Sequence, residues 1–181
     1  MKKVVLILAV VMTSVMSYGQ SIFDQFEDMD GVTSVVVNSK MFNMLAAIEI
    51  NTDDPESQAF VDMIKKITSL KVLTTGDEAI SSKMNSQVTS YLKSSSLEEL
   101  MRMKDGDQTV KIYVKEGKDD NHVKELLMFV NGLKEMTAGQ DININGKKRE
   151  IETVILSLTG DIDLRQISKL TNQMNMPGGE Q

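Results

Sequence analysis

The stretch DININGKKREIE, residues 141–152, has the residue types and the spacing of a calcium-binding loop. Its oxygen-bearing side chains and its glycine follow the usual order: Asp141, Asn143, Asn145, Gly146 and Glu152. In such a loop Lys147 would add a backbone carbonyl, and Glu152 would supply two carboxylate oxygens. This set of ligands would bind a hard divalent cation.

A β-hairpin explains more of the same stretch. The basic residues 147–149 balance its acidic residues, so the segment lacks the net negative charge that attracts a divalent cation. Ile142 and Ile144 alternate with polar residues before Asn145-Gly146, a dipeptide that favours a two-residue hairpin turn. We therefore predict a hairpin, and weak calcium binding by residues 141–152 remains the alternative.

Methionine is abundant, with 14 residues in the chain. Three pairs have spacings that thioether ligands could use for cuprous copper: Met41 and Met44, Met101 and Met103, and Met174 and Met176. However, the chain has only 5 Phe, 3 Tyr and 0 Trp, so methionine is the natural filler of its core. Four methionines are predicted on the inward sides of helices: Met41, Met63, Met84 and Met174.

Nucleophilic catalysis has little support in this sequence. Cysteine is absent, and His122 is the only histidine, which we expect in solvent beside the acidic turn Asp119-Asp120. Ser90 and Lys93 match the Ser-x-x-Lys pattern of penicillin-recognising enzymes. The accompanying Ser-Asp-Asn and Lys-Thr-Gly motifs are missing, so we interpret this match as a coincidence.

Asp161 and Asp163 could form a carboxylate pair for acid and base catalysis, as in glycoside hydrolysis. Each also has a structural explanation, because Asp161 suits a turn after Gly160 and Asp163 suits the cap of a helix. We adopt the structural explanation. The sequence thus predicts no catalytic residue, no metal site and no cofactor.

The first half of the chain is predicted to be mainly helical. A strand at Thr33–Asn38 passes into a helix capped by Asn38 or Ser39, whose inward side would carry Met41, Leu45 and Ile48. The next helix would be capped by Asp54, begin at Pro55, and bury an apolar stripe: Phe60, Met63, Ile64 and Ile67. The short strand LKVLTT, residues 70–75, would follow.

The third helix should begin after Asp77, with its buried side formed by five residues: Ile80, Met84, Val88, Tyr91 and Leu92. A hairpin is then predicted, because Val110, Ile112 and Val114 alternate with polar residues before the turn GKDDN and the segment VKELLMFV. Thr153–Leu158 is predicted as a further strand.

A last helix is predicted in LTGDIDLRQISKLTNQM, residues 158–174. Asp163 would cap it, Gln166 occupies the reciprocal capping-box position, and Ile162 and Ile167 could form a hydrophobic staple. Its inward side would carry four residues: Leu164, Ile167, Leu170 and Met174.

Together these elements predict the α+β class, with a two-layer sandwich of a mainly antiparallel sheet packed against about four helices. Residues 20–176 are expected to form a single domain, and the tail 177–181 is expected to fray. We find no internal repeat and no composition break that would divide the chain.

The first 19 residues are typical of a cleaved export signal. Lys2 and Lys3 precede the apolar run Val4–Met16, and the small residues Ser17 and Gly19 place cleavage before Gln20. No later segment is apolar enough to span a bilayer, so the mature chain is expected to be soluble in the periplasm or outside the cell. Without Lys2 and Lys3, 18 of the 20 basic residues remain against 26 acidic ones, and this charge of −8 disfavours nucleic acid as a partner.

Three segments in this order resemble a family of exported Bacteroidota proteins known as domain-of-unknown-function family 4252: residues 26–42 (FEDMDGVTSVVVNSKMF), 70–76 (LKVLTTG) and 158–170 (LTGDIDLRQISKL). The resemblance covers essentially the whole mature chain. It implies a cell-envelope protein and carries no established activity. Many members are similar to lipoproteins, whereas this chain has no cysteine to carry a lipid.

Two classes of function follow from these observations. The export signal and the lack of a reactive constellation favour a non-catalytic cell-envelope protein that binds another protein, whose identity the sequence does not give. The alternative is a periplasmic carrier of a small ligand or a metal, which would use the methionine-rich interior or the Asp141–Glu152 loop. An enzyme based on Asp161 and Asp163 is the third choice.

Overall fold

The computed structural model describes residues 22–47, 55–138, 143–144, 147–148 and 150–167. Its strands are β1 (Val32–Asn38), β2 (Ile67–Thr75), β3 (Glu98–Asp105), β4 (Gln108–Glu116), β5 (His122–Asn131), β6 (Asn143–Ile144), β7 (Lys147–Lys148) and β8 (Thr153–Asp163). Its helices are α1 (Ser39–Ala47), α2 (Pro55–Lys66), α3 (Glu78–Ser94) and α4 (Lys134–Thr137), with a short 3-10 turn at Asp24–Phe26. Six strands form one antiparallel sheet in the order β1-β2-β8-β5-β4-β3, and β6 pairs with β7.

This architecture confirms the predicted α+β class with a mainly antiparallel sheet and helices packed against it. The sheet grows from neighbouring hairpins, since β3, β4 and β5 follow one another both in the chain and in the sheet. The exception is β8, which lies between β2 and β5 and thereby joins the first and second halves of the chain. The predicted export signal, residues 1–19, lies outside the described residues.

The passage from β1 into α1 is as predicted, and the Asn38 carboxamide caps the helix by accepting from the Met41 N–H at 3.2 Å. The predicted inward side of α1 is wrong. Phe42 is the buried residue, whereas Met41 and Leu45 are 46% and 40% exposed. Ile48 of the same predicted stripe lies outside the described residues.

The second helix begins at Pro55 as predicted, and its proposed cap Asp54 lies outside the described residues. Val61 and Met63 are buried in α2, and Phe60 and Ile64 are partly buried. The strand that follows starts at Ile67, three residues earlier than predicted from LKVLTT. Ile67 fits the apolar stripe of the helix equally well, so the periodicity placed this boundary too late.

The main hydrophobic core lies between α3 and one face of the sheet. Asp77 caps α3 by accepting from the Ile80 N–H at 2.9 Å, and the predicted apolar side packs inward. The sheet contributes residues that lie side by side in its register: Leu73, Ile155, Phe129, Leu127 and Tyr113. Met84, Leu73, Leu127 and Ile155 are fully buried at the centre. We call this side of the sheet the packed face.

The N-terminal segment closes one end of this core. Phe23 and Phe26 are 1% and 2% exposed, and the Phe23 ring lies edge-on to the Tyr91 ring at 5.8 Å between centroids. Lys71 of β2 binds the carboxylates of Asp24 and Glu27. Burial of the Lys71 ammonium lowers its pKa, but hydrogen bonds to these carboxylates outweigh burial and raise the pKa above its ordinary value.

The predicted hairpin is present as β4 and β5, and Thr153–Leu158 is extended by five residues to form β8. Asp161 therefore lies in a strand rather than in the turn that we expected after Gly160. Gly160 has a φ of 146°, and a Cβ there would lie 2.4 Å from the Lys66 carbonyl oxygen. Glycine allows this close approach, next to the register shifts that β8 makes with β2 and β5.

Candidate functional site

The structure supports the hairpin explanation of residues 141–152. Asn143 pairs with Lys148 and Ile144 with Lys147 in an antiparallel register, which leaves a two-residue connection at 145–146. Asp141 and the Asn145-Gly146 turn itself lie outside the described residues.

Glu152, the expected bidentate calcium ligand, has other partners. Its two carboxylate oxygens accept from the Gly132 N–H at 3.2 Å and from the Lys134 N–H at 3.3 Å, at the start of α4. Its backbone bonds to Thr75 and Leu133. A carboxylate at the positive end of a helix is stabilised there, so Glu152 fixes the connection between β5 and β8.

Asp161 and Asp163 are each paired with a cation rather than with one another. Asp161 accepts from the Lys118 ammonium at 2.7 Å, and this hydrogen bond lowers the pKa of Asp161 below its ordinary value. Asp163 accepts from the Arg165 guanidinium at 2.8 and 3.0 Å, which lowers the pKa of Asp163 to about 2. It also caps the helix that begins at Leu164, by accepting from the Arg165 N–H at 3.0 Å, as predicted.

These contacts predict a specific pH dependence for Asp163. A carboxyl group whose pKa falls on folding stabilises the native state above its unfolded pKa of about 3.9, and this contribution disappears as the pH falls towards about 2. We expect Asp163→Asn to be less stable than the wild type at pH 5 and nearly equal to it at pH 2. Urea unfolding at both pH values measures this difference, and Asp28→Asn, at an exposed position, is the control. A stability gap that is the same at both pH values would contradict the assignment.

His122 does not lie in solvent, contrary to our expectation. Its side chain is only 11% exposed, with Nδ1 2.7 Å from an Asp119 oxygen and Nε2 3.9 Å from an Asp163 oxygen. The hydrogen bond from His122 is the main reason that the pKa of Asp119 lies below its ordinary value. His122 thus joins the β4–β5 turn to the end of β8.

Among the described residues no group of three or more His, Cys, Asp or Glu side chains could hold a metal ion.

The positions of Ser90 and Lys93 on α3 agree with the interpretation that their match to the Ser-x-x-Lys pattern is a coincidence. Ser90 and Lys93 are exposed, while Tyr91 between them is on the packed side of the helix as predicted. The Tyr91 hydroxyl lies 2.8 Å from both carboxylate oxygens of Glu125. Burial and the neighbouring carboxylate raise the pKa of Tyr91 far above its ordinary value. Glu125 is 9% exposed, and its spacing of two and four residues from Leu127 and Phe129 places it on the packed face. Sequence reasoning missed this buried carboxylate because a charged residue is not expected at an inward position.

The methionines divide into buried and exposed groups. Met63 and Met84 are 5% and 0% exposed, which confirms their predicted role in packing. Met41 was predicted to face inward and does not. Met101 and Met103 are also exposed, on β3, and Met174 and Met176 lie outside the described residues. Neither of the two pairs that the structure describes, Met41 with Met44 and Met101 with Met103, is therefore a buried copper site.

The most distinctive surface surrounds β1 and α1. It carries five exposed large apolar side chains, which we call the α1–β1 surface: Val35, Val36, Met41, Met44 and Leu45. On α1, positions 41, 44 and 45 lie on one side of the helix, and Met44 is 65% exposed. Val35 and Val36 are 50% and 47% exposed and point to opposite sides of β1, an edge strand of the sheet.

Such a surface is suited to binding another protein. Single exposed apolar residues are common, but three on one side of one helix form a cluster of the kind found at interaction sites, and each side of the adjoining strand adds one exposed valine. Two of the five are methionines, whose unbranched, flexible side chains adapt to a partner and are frequent at such surfaces. As an edge strand, β1 can also pair with an extended segment of a partner.

Comparison with known families gives one match. Residues 26–170 match the family described as Domain of unknown function (DUF4252). The chain belongs to this family. The resemblance inferred from the three segments is thereby confirmed, and the DUF4252 region runs from Phe26 in the core to Leu170.

Membership of the DUF4252 family assigns no activity, because the family is defined without one. Comparisons with curated proteins and with solved structures return no match. The α1–β1 surface lies wholly within the DUF4252 region, as do Tyr91 and Glu125. None of the described helices is both long and apolar enough to cross a bilayer.

Proposed function

We propose that this chain is a non-catalytic, exported cell-envelope protein that acts by binding another protein through the α1–β1 surface. The observation that carries the proposal is the outward side of α1, where Met41, Met44 and Leu45 are exposed together. The predicted export signal at residues 1–19 supports a location in the periplasm or beyond it. The resemblance to the family supports a Bacteroidota cell as the host. In this proposal the folded sheet is a rigid support for an apolar docking helix.

The energetics fit a binding role. Burying apolar side chains contributes about 25 cal/mol per Å2 of surface removed from water, and a few central residues provide most of the affinity of an interface. Met44 is the most exposed of the five residues and should be such a central residue. The partner should present apolar side chains, because the five residues that define the α1–β1 surface are all apolar.

The carrier alternative has less support. A carrier needs a deep, mainly apolar pocket with a few converging polar groups. The groove of about 320 Å3 between the N-terminal turn and α3 is open and has a largely polar lining: Gln25, Phe26, Met29, Ser82, Lys83, Ser86 and Gln87. The centre of the described core is filled by Phe23, Met84 and Leu127.

The test is crosslinking in cells of the native host, followed by recovery of the tagged, mature protein with whatever accompanies it. We expect a stoichiometric protein partner with the wild type, and a loss of at least about tenfold with Met41→Glu/Met44→Glu, since two central apolar contacts are removed. Asn43→Glu is the matched control, because it places the same charge at an exposed position of the same helix. Recovery of the wild type alone would contradict the proposal.

A further inference from the structure

A second apolar surface lies on the sheet, opposite the packed face. On β4 and β5 the residues that alternate with Tyr113, Leu127 and Phe129 point to this side, and they are apolar as well. We define the open face by four of these positions and two neighbours on β3: Ile112, Val114, Leu126, Met128, Met101 and Met103. The register places Met101 beside Ile112, Ile112 beside Met128, and Val114 beside Leu126.

The two faces differ in how well they are covered. Tyr113, Leu127 and Phe129 on the packed face are 7%, 0% and 3% exposed. On the open face, Ile112, Val114, Leu126 and Met128 are only partly buried, and Met101 and Met103 are 45% and 51% exposed. A sheet with polar residues on its second face would need no cover, but this face is apolar across three strands.

We propose that the C-terminal segment of the chain itself, residues 164–176, covers the open face. The helix that Asp163 caps begins at Leu164, where the Leu164 N–H donates to the Asn121 carbonyl oxygen at 2.9 Å, just before β5. The described chain ends at Ile167, still in this helix. The apolar spacing of Leu164, Ile167, Leu170 and Met174 predicts one continuous apolar side.

The length of this segment matches the width of the open face. At 1.5 Å per residue, Leu170 would lie about 9 Å and Met174 about 15 Å from the start of the helix. Strands are spaced about 4.8 Å apart, so β4 and β3 lie about 10 Å and about 14 Å from β8. Leu170 would thus reach β4 near Val114, and Met174 would reach β3 near Met101.

The inference is independent of the proposed function, because the open face belongs to β3, β4 and β5 and the α1–β1 surface to the opposite edge of the sheet. It assigns the two apolar surfaces different occupants. In this proposal residues 164–176 cover the open face, whereas the α1–β1 surface remains available to a partner.

The absence of cysteine makes a clean test possible. In the full-length mature chain, Val114→Cys is labelled with a maleimide, and its rate of labelling is compared in two further variants. Leu170→Asp should accelerate labelling by at least about tenfold, because a charge on the apolar side releases the cover. Asn172→Asp, on the polar side of the same segment, should leave the rate unchanged. Equal rates in the two variants would overturn the inference.

If Val114→Cys fails to fold, Met101→Cys serves the same purpose at an exposed position. A short bismaleimide then distinguishes the occupants in the double variant Val114→Cys/Leu170→Cys. A crosslinked product of monomer size supports the inference, and a product of dimer size contradicts it in favour of a second copy. Met41→Glu/Met44→Glu should alter neither result, which separates this test from that of the α1–β1 surface.

Discussion

Replacing Phe23 with alanine is expected to lower the free energy of unfolding by about 3–5 kcal/mol, the usual cost of emptying a fully packed aromatic site. Phe23 is 1% exposed and lies edge-on to Tyr91, so both a large apolar contact and a ring pair are lost. Few other residues offer as much buried area, and this one is only three positions after the predicted cleavage site at Gln20.

Urea unfolding followed by circular dichroism measures this loss. Met44→Ala is the control, because Met44 is 65% exposed and its truncation should change stability by less than about 0.5 kcal/mol. A loss below about 1 kcal/mol for Phe23→Ala would mean that the N-terminal segment contributes little to the core.

Tyr91→Phe is the second substitution with a large expected effect, with a loss of about 1.5–3 kcal/mol. The Tyr91 hydroxyl donates to the Glu125 carboxylate at 2.8 Å, and Glu125 is 9% exposed. Removing the hydroxyl leaves a buried carboxylate without this donor, which costs more than the hydrogen bond itself contributes.

A double variant tests the reason for this loss. Tyr91→Phe/Glu125→Leu removes the donor and the carboxylate together, so it should be more stable than Tyr91→Phe alone. Thr89→Ala, at an exposed position of α3, controls for changes in the helix. If the double variant is no more stable than Tyr91→Phe, the two groups are not energetically coupled.

Much of the fold could be predicted from the sequence where local physics and tertiary packing agree. The acidic residues Asp77 and Glu78 and the apolar spacing after them located α3, and alternation around Val110–Val114 located the β4–β5 hairpin. The cap at Asp163 is also present as predicted. In each case a short-range sequence signal was sufficient to locate the helix or strand, because the apolar residues on its buried side follow one another without interruption.

The strand β3 was not predicted from the sequence, because most of its residues are charged. Its eight residues are EELMRMKD, and five of them are charged. This composition is unusual for a central strand, which pairs with a neighbouring strand on each side. At a sheet edge, however, charges are favoured because they prevent pairing with other chains. Met101 and Met103 alternate with Arg102 and Lys104, but this period-two pattern is too short to identify a strand without the pairing with β4.

The α1–β1 surface was missed for a related reason. The spacing of Met41 and Leu45 predicts an apolar side correctly, but periodicity does not say whether that side is covered. In the structure the neighbouring Phe42 is buried and the predicted side is exposed. The error is informative, since apolar residues that no described part of the chain covers are the residues that the proposal assigns to a partner.

The most direct test of the proposed binding role places a photoactivatable amino acid at position 44 of the full-length protein in cells of the native host. We predict that irradiation crosslinks one recurrent envelope protein at position 44, and that the same amino acid at the exposed position 89 of α3 does not capture it. A protein captured equally from both positions, or none from position 44, would contradict binding through the α1–β1 surface.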